Sequence, residues 1–241
     1  MKQSHKSHET RPPLVVLSGA GLSAESGVAT FRGAGGLWEG HRIEEVASPV
    51  AFERKPELVH RFYNLRRDAL KSVRPNAAHE ALVRLEREWP GPFLHVTQNV
   101  DDLNERAGAR RLLHMHGQLL EIRCVACDSV WTWESDLDIR TECPRCRRAG
   151  LLRPNIVWFG EMPMHLDAIS EALAEAGIFV CVGTSGVVYP AAGFARTAAE
   201  SGCRRLIEVN LESTGISSVF TECRHGPATA EVPKLVEELL R

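Results

Sequence analysis

Four cysteines carry the most specific chemistry in the chain: Cys124 and Cys127, then fifteen intervening residues, then Cys143 and Cys146. Each C-x-x-C pair sets two thiolates on one tight knuckle. Two knuckles at this spacing complete a tetrahedron around zinc, at about 2.3 Å per Zn–S bond. Four protein ligands leave no open position, so the expected ion is structural. Two other readings compete. One is a redox dithiol or disulfide, which a cytoplasmic setting disfavours. The other is a nucleic-acid-binding ribbon using Arg123, Arg145, Arg147 and Arg148, although Trp131 and Trp133 read better as ribbon packing. Cys181, Cys203 and Cys223 lie in or near apolar runs and read as buried or incidental thiols.

His116, between Met115 and Gly117 and just ahead of the cysteine segment, is the candidate base, because histidine exchanges protons near neutral pH. A lone histidine is as readily structural. A third candidate is Gly19-Ala20-Gly21-Leu22-Ser23-Ala24-Glu25-Ser26-Gly27, fed by the apolar Leu14-Val15-Val16-Leu17. That pattern reads as a buried parallel strand emptying into a backbone-rich turn. Gly19 and Gly21 are expected to take positive φ and bring N–H groups close to a phosphate. A helix starting near Ser23 would add its dipole. Ala24 replaces the third glycine of G-x-G-x-x-G, so the stretch alone is also compatible with an ordinary glycine-rich turn.

These residues need elements to position them. Leu14–Leu17, Phe93–Thr97, Ile156–Phe159, Ile178–Val182 and Leu206–Val209 read as strands, with a short strand-like run around His114-Met115-His116-Gly117. Pro49 to about Val73 reads as helix, with Leu58, Phe62, Leu65 and Ala69 as its buried stripe. Asn76 to His79 is expected to cap a helix through Leu82 and Leu85, ended by Pro90-Gly91-Pro92. Further helices are expected over 164–176, over 190–201 and after Pro233. Strands separated by helices imply a mostly parallel sheet with right-handed crossovers. Four strand ends are small or polar: Gly19 to Gly21, Gln98-Asn99, Gly183 to Ser185, and Asn210. Ligands of such sheets sit outside the carboxyl ends of the strands, so convergence of these four makes a nucleotide site.

The chain has 241 residues, 44% apolar and 25% charged, with a formal charge of −2. Such a balance advertises neither nucleic acid nor membrane as partner. No apolar run approaches the roughly 20 residues of a bilayer span. The first eleven residues are polar and lack an apolar core, so they read as a disordered tail rather than a secretory signal. A cytoplasmic location is the expectation.

The motifs occur in an order that resembles the sirtuin family, of bacterial type, over roughly residues 12–240. They are Gly19 to Gly27 with Thr30-Phe31-Arg32, Thr97 to Asp101, His116-Gly117, the cysteine ribbon, Val157 to Glu161, Gly183 to Ser185, and Val209-Asn210. The resemblance implies an α/β fold, with a Rossmann-like parallel-sheet domain over 12–40, 90–118 and 151–241. A smaller domain would combine a helical module, 41–89, with a zinc ribbon, 119–150, and residues 1–11 would be the tail. It implies an NAD-dependent protein lysine deacylase with NAD as co-substrate, one structural Zn2+ and acylated lysine side chains as substrate. Specific nucleic acid and membrane partners are not expected; a monomer is. Carried over by motif, the cofactor loop is Gly19, Ala20, Gly21, Ser23, Ala24, Phe31, Arg32 and Trp38. Gln98, Asn99 and Asp101 would line the nicotinamide ribose, Gly183, Thr184, Ser185, Asn210, Leu211 and Glu212 the adenosine half, and Ala228 the adenine. His116 would be the base, and Val157, Trp158, Phe159 and Gly160 would pair with the substrate backbone by strand addition. In the family, nicotinamide leaves as the acyl oxygen attacks the ribose C1′, the base then activates a ribose hydroxyl, and O-acyl-ADP-ribose forms.

Tyr63 and Arg66 are helix neighbours at i, i+3, on the flank of the expected stripe and hence at the rim of a cleft. A guanidinium fork and a directed hydroxyl suit a carboxylate. Sirtuins that remove succinyl, malonyl or glutaryl groups carry this pair, and Gly33-Ala34-Gly35-Gly36 resembles the same subclass, leaving room for a longer chain. The expectation is a deacylase that removes acetyl and also succinyl or malonyl groups. The alternatives are an incidental Tyr63/Arg66 pair on a plain deacetylase, a mono-ADP-ribosyltransferase, and a non-catalytic NAD-binding zinc module. Intact Gln98, Asn99, Asp101 and His116 argue against the last, since binding alone needs no base.

Overall fold

A computed structural model describes residues 11–29, 37–38 and 41–241. In chain order, β1 (Leu14–Ser18) and α1 (Ala20–Ala24) precede a small ribbon of β2 (Leu37–Trp38) and β3 (His41–Arg42). Four helices follow: α2 (Ile43–Val46), α3 (Pro49–Arg54), α4 (Pro56–Leu70) and α5 (Ala77–Glu88). Next come β4 (Phe93–Thr97), α6 (Leu103–Ala107), β5 (Leu112–His114), β6 (Gly117–Cys124), β7 (Val130–Thr132) and β8 (Leu152–Ile156). Then follow α7 (Leu166–Glu175), β9 (Ile178–Val182), α8 (Phe194–Glu200), β10 (Arg205–Asn210), β11 (Glu222–His225) and α9 (Ala228–Leu240).

Six strands form one parallel sheet in the order β11-β10-β9-β1-β4-β5. Every residue of β1 is buried, as its unbroken aliphatic run requires of a central strand. Alternation sends Leu14 and Val16 into a core with Leu82 and Leu85 of α5 and Val232 and Val236 of α9. Val15 and Leu17 enter the opposite core with Ile169, Leu173 and Phe179. Ser18 is level with Val182 on one side and Thr97 on the other, so three strands end together where the chain order reverses across β1. That switch point is the ligand edge of a doubly wound sheet.

A second sheet, β7-β6-β8, is antiparallel and carries the ribbon. The strand expected at 156–159 lies earlier, at Leu152–Ile156. It contains Pro154, which an edge strand tolerates. The run around His114 to Gly117 divides between two sheets. Met115 and His116 form a turn, and Gly117 starts β6 at φ 76, where a Cβ would lie 2.0 Å from the Asn155 oxygen. The helical stretch from Pro49 breaks at Lys55, and Pro56 opens α4. Asn76 caps α5 as expected, accepting from the Ala78 and His79 amides. The last helix begins at Ala228, not after Pro233. Packing of Val232, Val236 and Leu239 holds the helix through that proline.

The buried face of α4 also differs from the expected stripe. Leu65 is 65% exposed and Ala69 is exposed, whereas Val59, His60, Phe62, Tyr63, Arg66, Arg67 and Leu70 are buried. Hydropathy misplaces this face because its polar members have partners inside. His60 Nε2 meets the Leu152 carbonyl at 2.9 Å, and Arg67 donates to the Leu119 and Ser135 carbonyls. Residues 1–10 of the expected tail lie outside the described residues; Arg11 stacks 5.1 Å over the Trp89 ring centroid.

Candidate functional site

The floor of the site is backbone. Gly19 donates to the Val182 carbonyl and Gly21 to the Gly183 carbonyl, both at 2.9 Å. A Cβ on Gly21 would sit 2.6 Å from the Gly183 Cα, and one on Gly19 would sit 2.8 Å from the Gly183 oxygen. The reason for glycine here is therefore close approach of two loops, not left-handed φ. Gly19 is extended at φ −130, and only Gly183 of the three is left-handed, at +60. The helix also starts at Ala20 rather than near Ser23, whose buried hydroxyl points into a polar chain instead. A side-chain-free floor at the switch point fits a dinucleotide backbone.

Above this floor the end of β4 presents Gln98, Asn99 and Asp101. Thr97 Oγ1 accepts from the Asn99 amide at 3.1 Å and from Ser18 Oγ at 2.9 Å. Asn99 Nδ2 donates to Ser23 Oγ at 3.1 Å. His79 Nδ1 accepts from the Asn76 amide, so its proton is on Nε2, 3.4 Å from Ser23 Oγ. The Asp101 carboxylate accepts from the Leu103 amide at 3.2 Å. Burial pushes the Asp101 pKa up against the opposing Leu103 amide and Ser23 hydroxyl. Burial lowers His79 to about 4, so it is a neutral donor.

His116 occupies the turn between the two sheets. Its Nδ1 lies 3.1 Å from the Gln98 carbonyl, which fixes the hydrogen on Nδ1 and leaves the lone pair on Nε2. Among the described residues nothing bonds Nε2. Burial lowers its pKa, with the Gln98 carbonyl opposing. A neutral imidazole of fixed tautomer is what a base requires. On the far side of β1, Asn210 Nδ2 donates to the Thr184 carbonyl at 2.7 Å, joining two of the predicted strand ends. Ser185 is half-buried, Leu211 and Glu212 are exposed, and Ala228 is buried as the first residue of α9. Ala20 and Ala24 bound α1. Thr30, Phe31, Arg32 and Gly33 to Gly36 lie outside the described residues, and Trp38 enters only as backbone of β2.

The segment after β8 is locked from both ends. Val157 donates to the His116 carbonyl and Phe159 to the Ala47 carbonyl, while the Trp158 amide bonds Glu161 Oε2 at 2.8 Å. Glu161 is itself held by Arg153 at 2.6 and 2.9 Å. The Val157 carbonyl and the Gly160 amide have no intramolecular partner among the described residues. Trp158 Nε1 donates to Tyr63 Oη at 2.8 Å, and the two rings stack at 6.2 Å. Tyr63 is fully buried and Arg66 is 8% exposed, over the Phe62 ring. The pair is thus embedded in the core of the helical module rather than set at a rim. Burial also raises the Tyr63 pKa, keeping the hydroxyl protonated.

The four cysteine sulfurs come together within 4.8 Å of one another. Cys124 and Cys146 are 3.8 Å apart and Cys127 and Cys143 are 3.7 Å apart. A tetrahedron with bonds of about 2.3 Å has edges of about 3.8 Å, so the cluster fits one structural zinc ion. Asn64 ties this ribbon to α4 in both directions, donating to the Leu137 carbonyl and accepting from the Leu137 amide at 3.0 Å each.

Fold and site together define a Rossmann-like α/β protein with a zinc ribbon beside the nucleotide edge. The Sir2 family model matches residues 19–190. A protein of Bdellovibrio bacteriovorus named NAD-dependent protein deacylase is 55% identical over 229 residues, covering 94% of this chain and 96% of that one. One of the same name from Escherichia coli K12 is 49% identical over 233 residues, covering 96% and 83%. The crystal structure of a Sir2 homolog–NAD complex superposes with a TM-score of 0.86 at 40% identity, covering 94% and 88%. A Sir2 homologue mutant bound to ADP-ribose gives 0.87 at 40%, covering 94% and 91%. The chain belongs to the Sir2 family, the sirtuins.

Sequence reasoning missed the support behind the site: His79 behind Ser23, the Ser18–Thr97 hydroxyl pair, and the Arg153–Glu161 clamp under Trp158. His79 had a signal, as an imidazole in the first turn after an Asn cap. The Ser18–Thr97 pair joins residues 79 apart in the chain, and the Arg153–Glu161 clamp closes a bend where a strand was expected.

Proposed function

We propose that the protein is an NAD-dependent protein lysine deacylase that removes acetyl groups and also succinyl or malonyl groups. The observation that carries the reading is His116, its pKa lowered by burial, with Nδ1–H anchored on the Gln98 carbonyl and Nε2 bonded to nothing among the described residues. The relatives named NAD-dependent protein deacylase and the solved complexes with NAD and ADP-ribose support the deacylase part of the reading. NAD, when bound, supplies an electrophilic ribose carbon with nicotinamide as leaving group. Gly19, Gly21 and Gly183 would floor its phosphates, and Asn99 and Asp101 would orient the ribose. His116 Nε2 would take the proton of a ribose hydroxyl, and the Val157 carbonyl and Gly160 amide would align the peptide. The balance is acyl-lysine, NAD and water giving lysine, nicotinamide and O-acyl-ADP-ribose.

The acidic-acyl part rests on Arg66, a guanidinium enclosed beside Tyr63 on the inner face of α4. A carboxylate reaching it would gain a charge-assisted hydrogen bond of about 1.5–3 kcal/mol. The test is turnover of matched acetyl-, succinyl- and malonyl-lysine peptides with NAD. Arg66→Met should lower kcat/KM for the acidic peptides about 10- to 100-fold and spare the acetyl peptide. Equal loss on both would remove the carboxylate role. Mass gain of ADP-ribose on the target, without acyl loss, would favour the transferase instead.

A further inference from the structure

Two histidines bracket Met115 at the junction of the sheets, and the base is only one of them. The other, His114, is 7% exposed at the end of β5. Its Nδ1 lies 2.9 Å from the Asn99 carbonyl oxygen and its Nε2 lies 2.6 Å from Glu105 Oε1 on α6. A carbonyl oxygen can only accept, so Nδ1 carries a hydrogen. An ionised carboxylate also only accepts, so Nε2 carries the second. This is the bonding pattern of an imidazolium, the opposite of His116.

Asn99, the residue His114 grips, is central to the cleft. Its amide is fixed by Thr97, its side chain by Ser23, and the preceding carbonyl of Gln98 holds His116. We propose that His114 is a positioning residue, a protonated imidazole that braces the 98–101 loop against α6 by donating to Asn99 and Glu105 together. The proposal rests on the deacylase reading for its kinetic consequence, not for the charge state. Burial works against charge on His114, but Glu105 and the Asn99 carbonyl outweigh it and raise its pKa. The other titratable groups around it are Asp101 on the loop, which favours the charge, and His95 on β4, which burial lowers to about 3 and keeps neutral.

The two histidines then bound the active pH range from opposite sides. His116 must lose its proton to act, so rates rise as pH climbs through its lowered pKa. His114 must keep its proton to brace the loop, so rates fall as pH climbs through its raised pKa.

The experiment pairs nitrogen NMR of histidine-labelled full-length protein with pH profiles of kcat/KM for NAD on an acetyl-lysine peptide. At pH 7, His114 should show both ring nitrogens protonated, and His116 the neutral Nδ1–H form. Glu105→Gln keeps an acceptor but removes the charge, and should move the alkaline limb to lower pH by about one unit with the acid limb in place. His114→Gln should raise KM for NAD about tenfold, more than it lowers kcat. A neutral His114 at pH 7, or an alkaline limb unmoved by Glu105→Gln, overturns the proposal. Absence of acyl-dependent nicotinamide release would instead sink the deacylase reading, since NMR reports the His114 charge without turnover.

Discussion

At the residue scale, the environment divides labour among similar side chains. His79, His95, His114 and His116 lie around one edge of the sheet, yet among them His116 has its tautomer fixed through Nδ1 while Nε2 bonds nothing among the described residues. Its lowered pKa keeps it deprotonated below the ordinary histidine value of 6.5. The acid limb of kcat/KM should therefore fall below pH 6.5, with activity lost as pH drops through it. His116→Tyr should reduce deacylation by about 100-fold or more, the scale of general-base catalysis, while circular dichroism and melting stay native. Retained turnover would remove His116 from the role.

At the element scale, the loops after β1 and β9 act as one unit because their backbones touch. Gly21 is the contact with least slack, since a methyl there meets Gly183 backbone at 2.6 Å and no flexible side chain can move aside. Gly21→Ala should cost about 1–3 kcal/mol of stability, as overpacking does. It should also weaken NAD binding measured by calorimetry. Normal NAD affinity with unchanged denaturant midpoint would mean that the loops separate freely. Helix α4 is the other decisive element. One side holds Tyr63 and Arg66, and His60, Asn64 and Arg67 grip backbone carbonyls reaching from the ribbon sheet and the ribbon loop.

At the scale of the whole molecule, that grip couples the metal centre to the helix that carries Tyr63 and Arg66. Stripping zinc with a strong chelator should release about one ion per chain, expose four reactive thiols and lower the melting temperature, as expected for a structural site with four thiolate ligands. The acidic-acyl rate should fall with it, because α4 loses the Leu137 and Ser135 carbonyls that anchor it. A chelated protein with unchanged melting would show that the ribbon folds without its ion.

The linear chain determined whatever depends on local spacing or on an unbroken apolar run. Cys124 to Cys146 announced a metal cluster by spacing alone, and the sulfurs do converge. β1, β4, β9 and β10 were legible because central parallel strands are buried on both faces. The convergence of their polar ends followed from topology, and the register of Ser18 with Thr97 and Val182 realises it. Tertiary structure decided what hydropathy cannot weigh. It turned α4 so that Tyr63, Arg66 and Arg67 are inside and Leu65 is outside, because partners 52 to 95 residues away stabilise Arg67 and Tyr63 there. It made Gly21 necessary through contact with Gly183 rather than through its own φ. It also gave two neighbouring histidines different partners, the Gln98 carbonyl for His116 Nδ1 and the Glu105 carboxylate for His114 Nε2.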